Sequence, residues 1–308
     1  MVKNDTHSHH HSHHHSHFAV NPSVNRAFIV GIILNVVFVG VEFGVGLFYN
    51  SLGLISDAGH NLGDVTSLIL ALLAVQLTKI SPSDRYTYGY KKSTVLVSLL
   101  NAIILLVAVG FIVVESIEKF SHPAPIEGGA IMWTAGIGVV INAFTAFLFL
   151  KDKDKDLNVK GAYLHMAADA LVSVGVVLSG ALILFTGWVI IDAIIGLIIA
   201  AVIVVSTWGL LRDSLRLSLD GVPMAIDNDA VRQVVLADPD VVDCHHLHIW
   251  ALSTTDIALT VHVVLREMSR MEEIKSQIKA NLVHLGIGHA TLEFEHESCM
   301  CDQEHRYI

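Results

Sequence analysis

Six long apolar runs set the terms for this chain: residues 27–49, 53–77, 93–115, 129–150, 159–186 and 188–210. Crossing about 30 Å of hydrocarbon takes roughly 20 mostly apolar residues, and each run is long enough. Within lipid the backbone must satisfy its own hydrogen bonds, so the runs are expected to be transmembrane helices. Composition agrees, since 53% of the chain is hydrophobic and only 16% charged, whereas soluble domains run nearer a quarter charged. The first run follows a polar N-terminus without a cleavage-type pattern, so no removable signal peptide is read there.

The basic residues orient the bundle. Lys79, Arg85, Lys91 and Lys92 separate the second and third runs; Lys151, Lys153 and Lys155 separate the fourth and fifth, with Lys160 at the near edge of the fifth. Arg212 and Arg216 follow the sixth, while the remaining connections carry only Lys119. The positive-inside rule then places both termini in the cytoplasm. The expected architecture is an α-helical membrane bundle of six transmembrane helices over residues 26–212, in the cell (inner) membrane. A His-rich cytoplasmic tail, residues 1–25, precedes it, and a small α+β cytoplasmic domain, residues 213–308, follows it.

In that last domain, residues 229–237 read as a helix opened by Asp227 or Asn228. "CHHLHIWAL" and "DIALTVHVVL" read as paired strands joined by "STT". A helix over 270–285 and a strand at "HATLEFEH" complete an αββαβ order, expected to form an open sheet with helices on one face. The net charge of −10 and the lack of a basic patch with interleaved aromatics argue against nucleic acid as a partner. All three cysteines, Cys244, Cys299 and Cys301, lie in this domain; reduced in a cytoplasm, they are better suited to ligation than to a disulfide. The tract "HSHHHSHHHSH" near the N-terminus has no core-forming pattern, and such tracts bind metals loosely. Its serine interruptions favour a metal-collecting tail over an appended tag.

Charge inside the second run is the exception that points to function. "SDAGHNLGD" carries Asp57, His60 and Asp64, and a charged residue at mid-bilayer costs a few kcal/mol on insertion scales. His60 and Asp64 are four residues apart, on one helix face. The fifth run repeats the pattern in "YLHMAADAL" with His165 and Asp169. One such pair could brace two helices. Two pairs, in runs whose sole basic residue is Lys160 at an edge, instead call for a transient counter-charge, a cation or a proton. Two His and two Asp can complete a tetrahedral Zn²⁺ set with bonds of about 2.0–2.2 Å, whereas Mg²⁺ and Ca²⁺ prefer all-oxygen sites.

These motifs resemble the paired HxxxD motifs of the cation diffusion facilitators. The six runs, basic inner loops, His-rich tail and αββαβ domain extend the resemblance over nearly the whole chain. It implies a homodimeric secondary transporter, not an enzyme, that expels divalent metal from the cytoplasm against proton entry. The HxxxD form implies a zinc preference, with Cd²⁺ or Co²⁺ as further substrates, and a transport site of His60, Asp64, His165 and Asp169. In the cytoplasmic domain, the resemblance matches His245, His262 and His296 to a second, regulatory metal site, with His246 and His248 flanking it. The loop "SPSDRYTYGYKKS" departs from the family pattern: Tyr86 and Tyr90 stand where some members carry histidine ligands, so no metal site is expected there, and Lys91 and Lys92 are expected to hold the inner interface.

Other polar residues in the runs are read more plainly. Asp57 could line an exit or sit at the outer interface. Glu42 is placed towards a cavity and Asp192 at the outer end of the sixth run. Asn35 and Asn142 are read as interhelical hydrogen bonders, and Gly40, Gly44 and Gly46 as close-approach points. Two other functions would use the same ligands: a metal channel without proton coupling, and a membrane metal sensor.

Overall fold

The computed structural model describes residues 22–48, 52–121, 128–188 and 190–299. The His-rich tract and Cys301 lie outside them, as do the side chains of Asp57, His60, Asp192 and Cys299. Six long helices come first: α1 (Pro22–Phe48), α2 (Leu52–Leu77), α3 (Ser93–Ser121), α4 (Gly128–Leu150), α5 (Leu157–Thr186) and α6 (Ile190–Ser218). Long apolar stretches run through α1, α3, α5 and α6, with shorter ones over Asn61–Leu77 in α2 and Ala135–Leu150 in α4. Even the shortest helix, α4 with 23 residues, reaches about 34 Å at 1.5 Å per residue, enough to cross a bilayer core.

Hydropathy locates the first and last lipid-facing residues, and helices continue past them. α6 runs on to Ser218, beyond the boundary expected at 212, because its extra turns are held. Asp213 pairs with Lys160 of α5 at 3.1 Å, and Ser214 shares a buried 2.8 Å hydrogen bond with Ser98 of α3. α3 likewise continues to Ser121, with Lys119 on Glu115 one turn back.

Within the bundle α3 lies along α6, and α4 along α5. Phe28, Leu68, Phe149, Val159 and Met166 form a buried cluster joining α1, α2, α4 and α5. Close helix approach occurs at Gly31, where a Cβ would come within 2.8 Å of Thr145 Cγ2, while Gly40 and Gly44 face open space. Gly40 and Gly44 therefore do not mediate packing, whereas Gly46 is buried.

The C-terminal domain contains α7 (Asn228–Val235), β1 (Val241–Ala251), β2 (Ile257–Leu265), α8 (Met271–His284) and β3 (Ile287–His296). Asp227 caps α7, accepting from the Asp229 amide at 2.9 Å. β1 pairs antiparallel with β2, and β2 pairs parallel with β3, in the order β1-β2-β3; α8 makes the crossover that a parallel pair requires. Ile274, Ile278 and Leu282 form one stripe of α8. They pack with Val231 and Val235 of α7 onto the odd-numbered residues Leu259, Val261, Val263 and Leu265 of β2. Period two then puts His262 on the face away from both helices.

The tip of the β1–β2 hairpin plugs the domain into the bundle. Thr254 donates its amide to Thr94 Oγ1 of α3 (3.0 Å) and its hydroxyl to Asp156 Oδ2 (2.7 Å). Asp156 is the N-cap of α5, its other oxygen accepting from the Asn158 and Val159 amides. Lys91 pairs with Asp256 at 2.8 Å. The Lys92 ammonium donates to Asp220 (2.6 Å), the Leu217 carbonyl (2.9 Å) and the Ala251 carbonyl (3.0 Å), filling its three donor positions. Tyr88 meets His289 of β3 edge-on at 5.5 Å, and Tyr86 packs on Tyr90. The tyrosine loop thus serves packing and docking.

Candidate metal centre

α2 and α5 bring Asp64, His165 and Asp169 together in the bundle. His165 Nε2 lies 2.6 Å from Asp64 Oδ1 across the helix contact, and 3.9 Å from Asp169 Oδ2 one turn along α5. Each residue offers a ligand atom, and these atoms all lie within 4.8 Å of one another. Asp64 is 3% and His165 5% exposed. His60 occupies the α2 position one turn before Asp64, on the same helical face.

The chemistry of the cluster is that of a divalent-ion site. One imidazole and two carboxylates carry up to two negative charges, and burial makes such charge costly without a cation. α2 contains no Lys or Arg, and α5 only Lys160, which is already paired with Asp213. A metal needs neutral imidazole and ionised carboxylate, so metal and proton compete for the same atoms. Around the cluster, Asn35 donates to the Gly31 carbonyl at 2.9 Å and approaches Thr145 Oγ1 and Met166 Sδ. It therefore links α1, α4 and α5 by hydrogen bonds, as its sequence context implied. A cavity of about 550 Å³ lies elsewhere, between helix ends and the C-terminal domain.

A second cluster forms in that domain. β-pairing sets His245 opposite His262, and Glu293 and Glu295 lie on the neighbouring strand. His262 Nδ1 is 2.6 Å from Glu295 Oε1, and its Nε2 is 3.3 Å from Glu293 Oε2. His245 Nε2 lies 3.6 Å from Glu295 Oε2. Ligand atoms of His245, His262 and Glu295 fall within one 4.8 Å group. His245 is only 7% exposed, yet neither of its ring nitrogens has a hydrogen-bond partner among the described residues. Buried polar atoms are nearly always satisfied, so an orphaned imidazole points to an ion.

A β-bulge between His245 and His248 shapes this cluster. His246 takes φ +50 there, the left-handed region, which is uncommon outside glycine. The extra residue keeps His246 on the same face as its neighbour, and the rings of His245, His246 and His262 form a triangle with centroids 5.0–5.2 Å apart. Desolvation, then the nearby imidazoles of His262, His245 and His248, holds the His246 imidazole below its usual range. His248 is exposed.

His296 is not brought to this cluster. It stands opposite Leu265, a core residue on the helix-covered side, and its Nδ1 is 2.7 Å from Ser298 Oγ. Glu295 lies beside His262 and His245 instead. The alternation in "LEFEH" carries that signal: Leu292 and Phe294 pack on the core, so His296 shares their parity while Glu293 and Glu295 point the other way.

Two families match successive parts of the chain. Residues 28–217 match a family described as the cation efflux transmembrane domain, and residues 223–296 match the cation efflux protein, cytoplasmic domain. The chain is 36% identical over 265 residues to zinc transporter ZitB of Escherichia coli strain K12, covering 85% of this chain and 84% of that one. It is 32% identical over 278 residues to the cadmium, cobalt and zinc/H(+)-K(+) antiporter of Bacillus subtilis, covering 89% of each. Cation efflux system protein CzcD of Alcaligenes sp. strain CT14 is 35% identical over 279 residues, covering 89% of this chain and 87% of that one.

Proposed function

Because the chain belongs to the cation efflux family, we propose that it exports Zn²⁺ from the cytoplasm by proton-coupled antiport, with Cd²⁺ and Co²⁺ as further substrates. It is a multi-pass membrane transporter, not an enzyme. The observation that carries the reading is the buried group of Asp64, His165 and Asp169. One imidazole and two carboxylates suit zinc-like ions, and the same atoms accept protons. Protons entering from outside neutralise the ligands and release the ion; on the cytoplasmic side, metal displaces the protons. His60 supplies the fourth ligand from its place one turn before Asp64. The C-terminal site binds a second, regulatory zinc through His245, His262 and Glu295, and two copies of the chain associate through this domain. Basic inner loops support an orientation with both termini cytoplasmic, in a cell (inner) membrane. The division into residues 1–25, 26–212 and 213–308 serves collection, transport and regulation in turn.

Uptake of ⁶⁵Zn into inverted vesicles carrying the protein tests this reading, with and without a pH gradient. Uptake that follows the gradient and is lost in Asp64→Asn supports it. Gradient-independent flux would make the protein a channel, and zinc binding without flux a sensor; either overturns antiport.

A further inference from the structure

Beside the metal cluster lies a small cavity of about 40 Å³, lined by Phe38, Glu42, Asn61, Asn142, Asp169 and Ser173. A buried water needs roughly 10–15 Å³ of such space, so there is room for one cation with a water or two. Polar residues from α1, α2, α4 and α5 converge on it. Glu42 is 0% exposed, and its Oε2 accepts from Asn61 Nδ2 at 2.6 Å. Asn142 is 2% exposed, and its Oδ1 has no hydrogen-bond partner among the described residues. Phe38 crosses close to Gly138, where a Cβ would sit 3.1 Å from the ring, so a side chain larger than glycine's would crowd the wall.

We propose that this cavity is a second cation position on the outward side of the transport site, with oxygen ligands from Glu42, Asn142 and Asp169. Asp169 lines the cavity and also stands in the metal cluster, so an ion can pass from one position to the next without giving up that carboxylate. The proposal rests on the transport reading above and on its orientation. Glu42 belongs to the second half of α1, and Asn61 precedes Asp64 towards the start of α2, which puts both nearer the outer face. All three donors are hard oxygens, and they lack the imidazole that gives the first position its zinc preference. An ion arriving here is held more loosely than at His165, as release requires. The orphaned Asn142 carbonyl gains a partner when the ion arrives, and Asn61 fixes the Glu42 carboxylate in place.

The test uses the full-length protein in proteoliposomes, with zinc flux and equilibrium zinc affinity measured on the same preparations. Glu42→Gln keeps an acceptor for Asn61 but removes the charge. It is expected to slow flux by about ten-fold or more while leaving affinity within about two-fold. Flux within about two-fold of the parent protein would show that Glu42 only braces α1 against α2 and would overturn the proposal. Loss of zinc affinity together with flux would place Glu42 in the primary site and overturn it as well. Glu42→Cys adds a readout that bracing does not move. A thiolate on the path holds Cd²⁺ tightly, so cadmium should block zinc flux at about ten-fold lower concentration than in the parent; equal sensitivity counts against the site. The parent reading fails separately, if Asp64→Asn retains gradient-driven flux.

Discussion

Asp64 on α2 and His165 on α5, 101 residues apart in sequence, meet at 2.6 Å in the buried middle of the bundle. The contact joins the helix carrying the first HxxxD pair to the helix carrying the second. A proton held between these atoms occupies ground that a metal ion needs, so one contact contains both sides of the exchange.

Replacing a ligand should therefore cost more than replacing a neighbour. Loss of an outer hydrogen-bond partner to a metal ligand typically costs about 10–100-fold in metal affinity. Asp64→Ala, which removes a ligand outright, is expected to weaken zinc binding by about 100-fold or more and to abolish flux. Isothermal titration and vesicle flux on one preparation check this, and retention of either refutes the ligand assignment.

His60 offers a test of selectivity. His60→Asp exchanges an imidazole for a carboxylate, and harder oxygen ligands suit harder ions. Metal competition in vesicles should show zinc losing ground to manganese. An unchanged ranking would mean that His60 does not touch the ion.

Much of this site was legible in the sequence because its signals are local. Four-residue spacing puts His165 and Asp169 on one face of α5, and the cost of burying charge marks them. The number of helices followed from run length for the same reason. The C-terminal site was only half legible, because it depends on pairing between strands and on one irregularity. His262 could be placed by alternation, but the bulge that turns His246 beside His245 has no clear sequence mark. His296 came from the match to the family's positions, whereas strand parity puts Glu295, not His296, beside His262. The hairpin's attachment to the α5 N-cap was not legible at all, since Thr254 and Asp156 are 98 residues apart and neither is unusual for its place.

That parity difference can be measured. Zinc at about 100 times its dissociation constant stabilises a folded protein by about 2.7 kcal/mol. Glu295→Gln, which weakens a ligand, should cut the zinc-induced rise in melting temperature of the full-length protein, by about 1.4 kcal/mol for each ten-fold loss of affinity. His296→Ala should leave the rise unchanged. The opposite pattern would restore His296 as the ligand.

His246 gives a pH dependence. Its folded imidazole lies below its usual range, owing to desolvation and to the His262, His245 and His248 rings. The unfolded chain therefore binds more protons as pH falls through about 6.5, and stability must fall with it. Above that pH both states are neutral and the penalty vanishes. Metal-free protein should melt earlier as pH drops from about 7 towards 5, and His246→Asn should flatten that slope. A slope identical in both proteins would assign the effect to other groups.

The hairpin tip gives the last prediction. Asp156 does two jobs: one oxygen caps α5 through the Asn158 and Val159 amides, and the other accepts from the Thr254 hydroxyl at 2.7 Å. The start of the helix that carries His165 and Asp169 is thus tied to the β1–β2 turn, and β1 and β2 carry His245 and His262. Thr254→Ala removes only the tie, at a cost of about 0.5–1.5 kcal/mol for one hydrogen bond. Asp156→Ala removes tie and cap together, adding about 1 kcal/mol for the cap. The double variant should be no less stable than Asp156→Ala alone, because two changes to one bond are not additive. Hydrogen exchange should then report the route of coupling. In the parent protein, zinc bound at the C-terminal site should protect amides at the start of α5, and in Thr254→Ala this protection should shrink while that on β1 and β2 persists. Equal protection of α5 in both proteins would show that the domain influences the bundle by another contact, with Lys92 and Asp220 the next pair to examine.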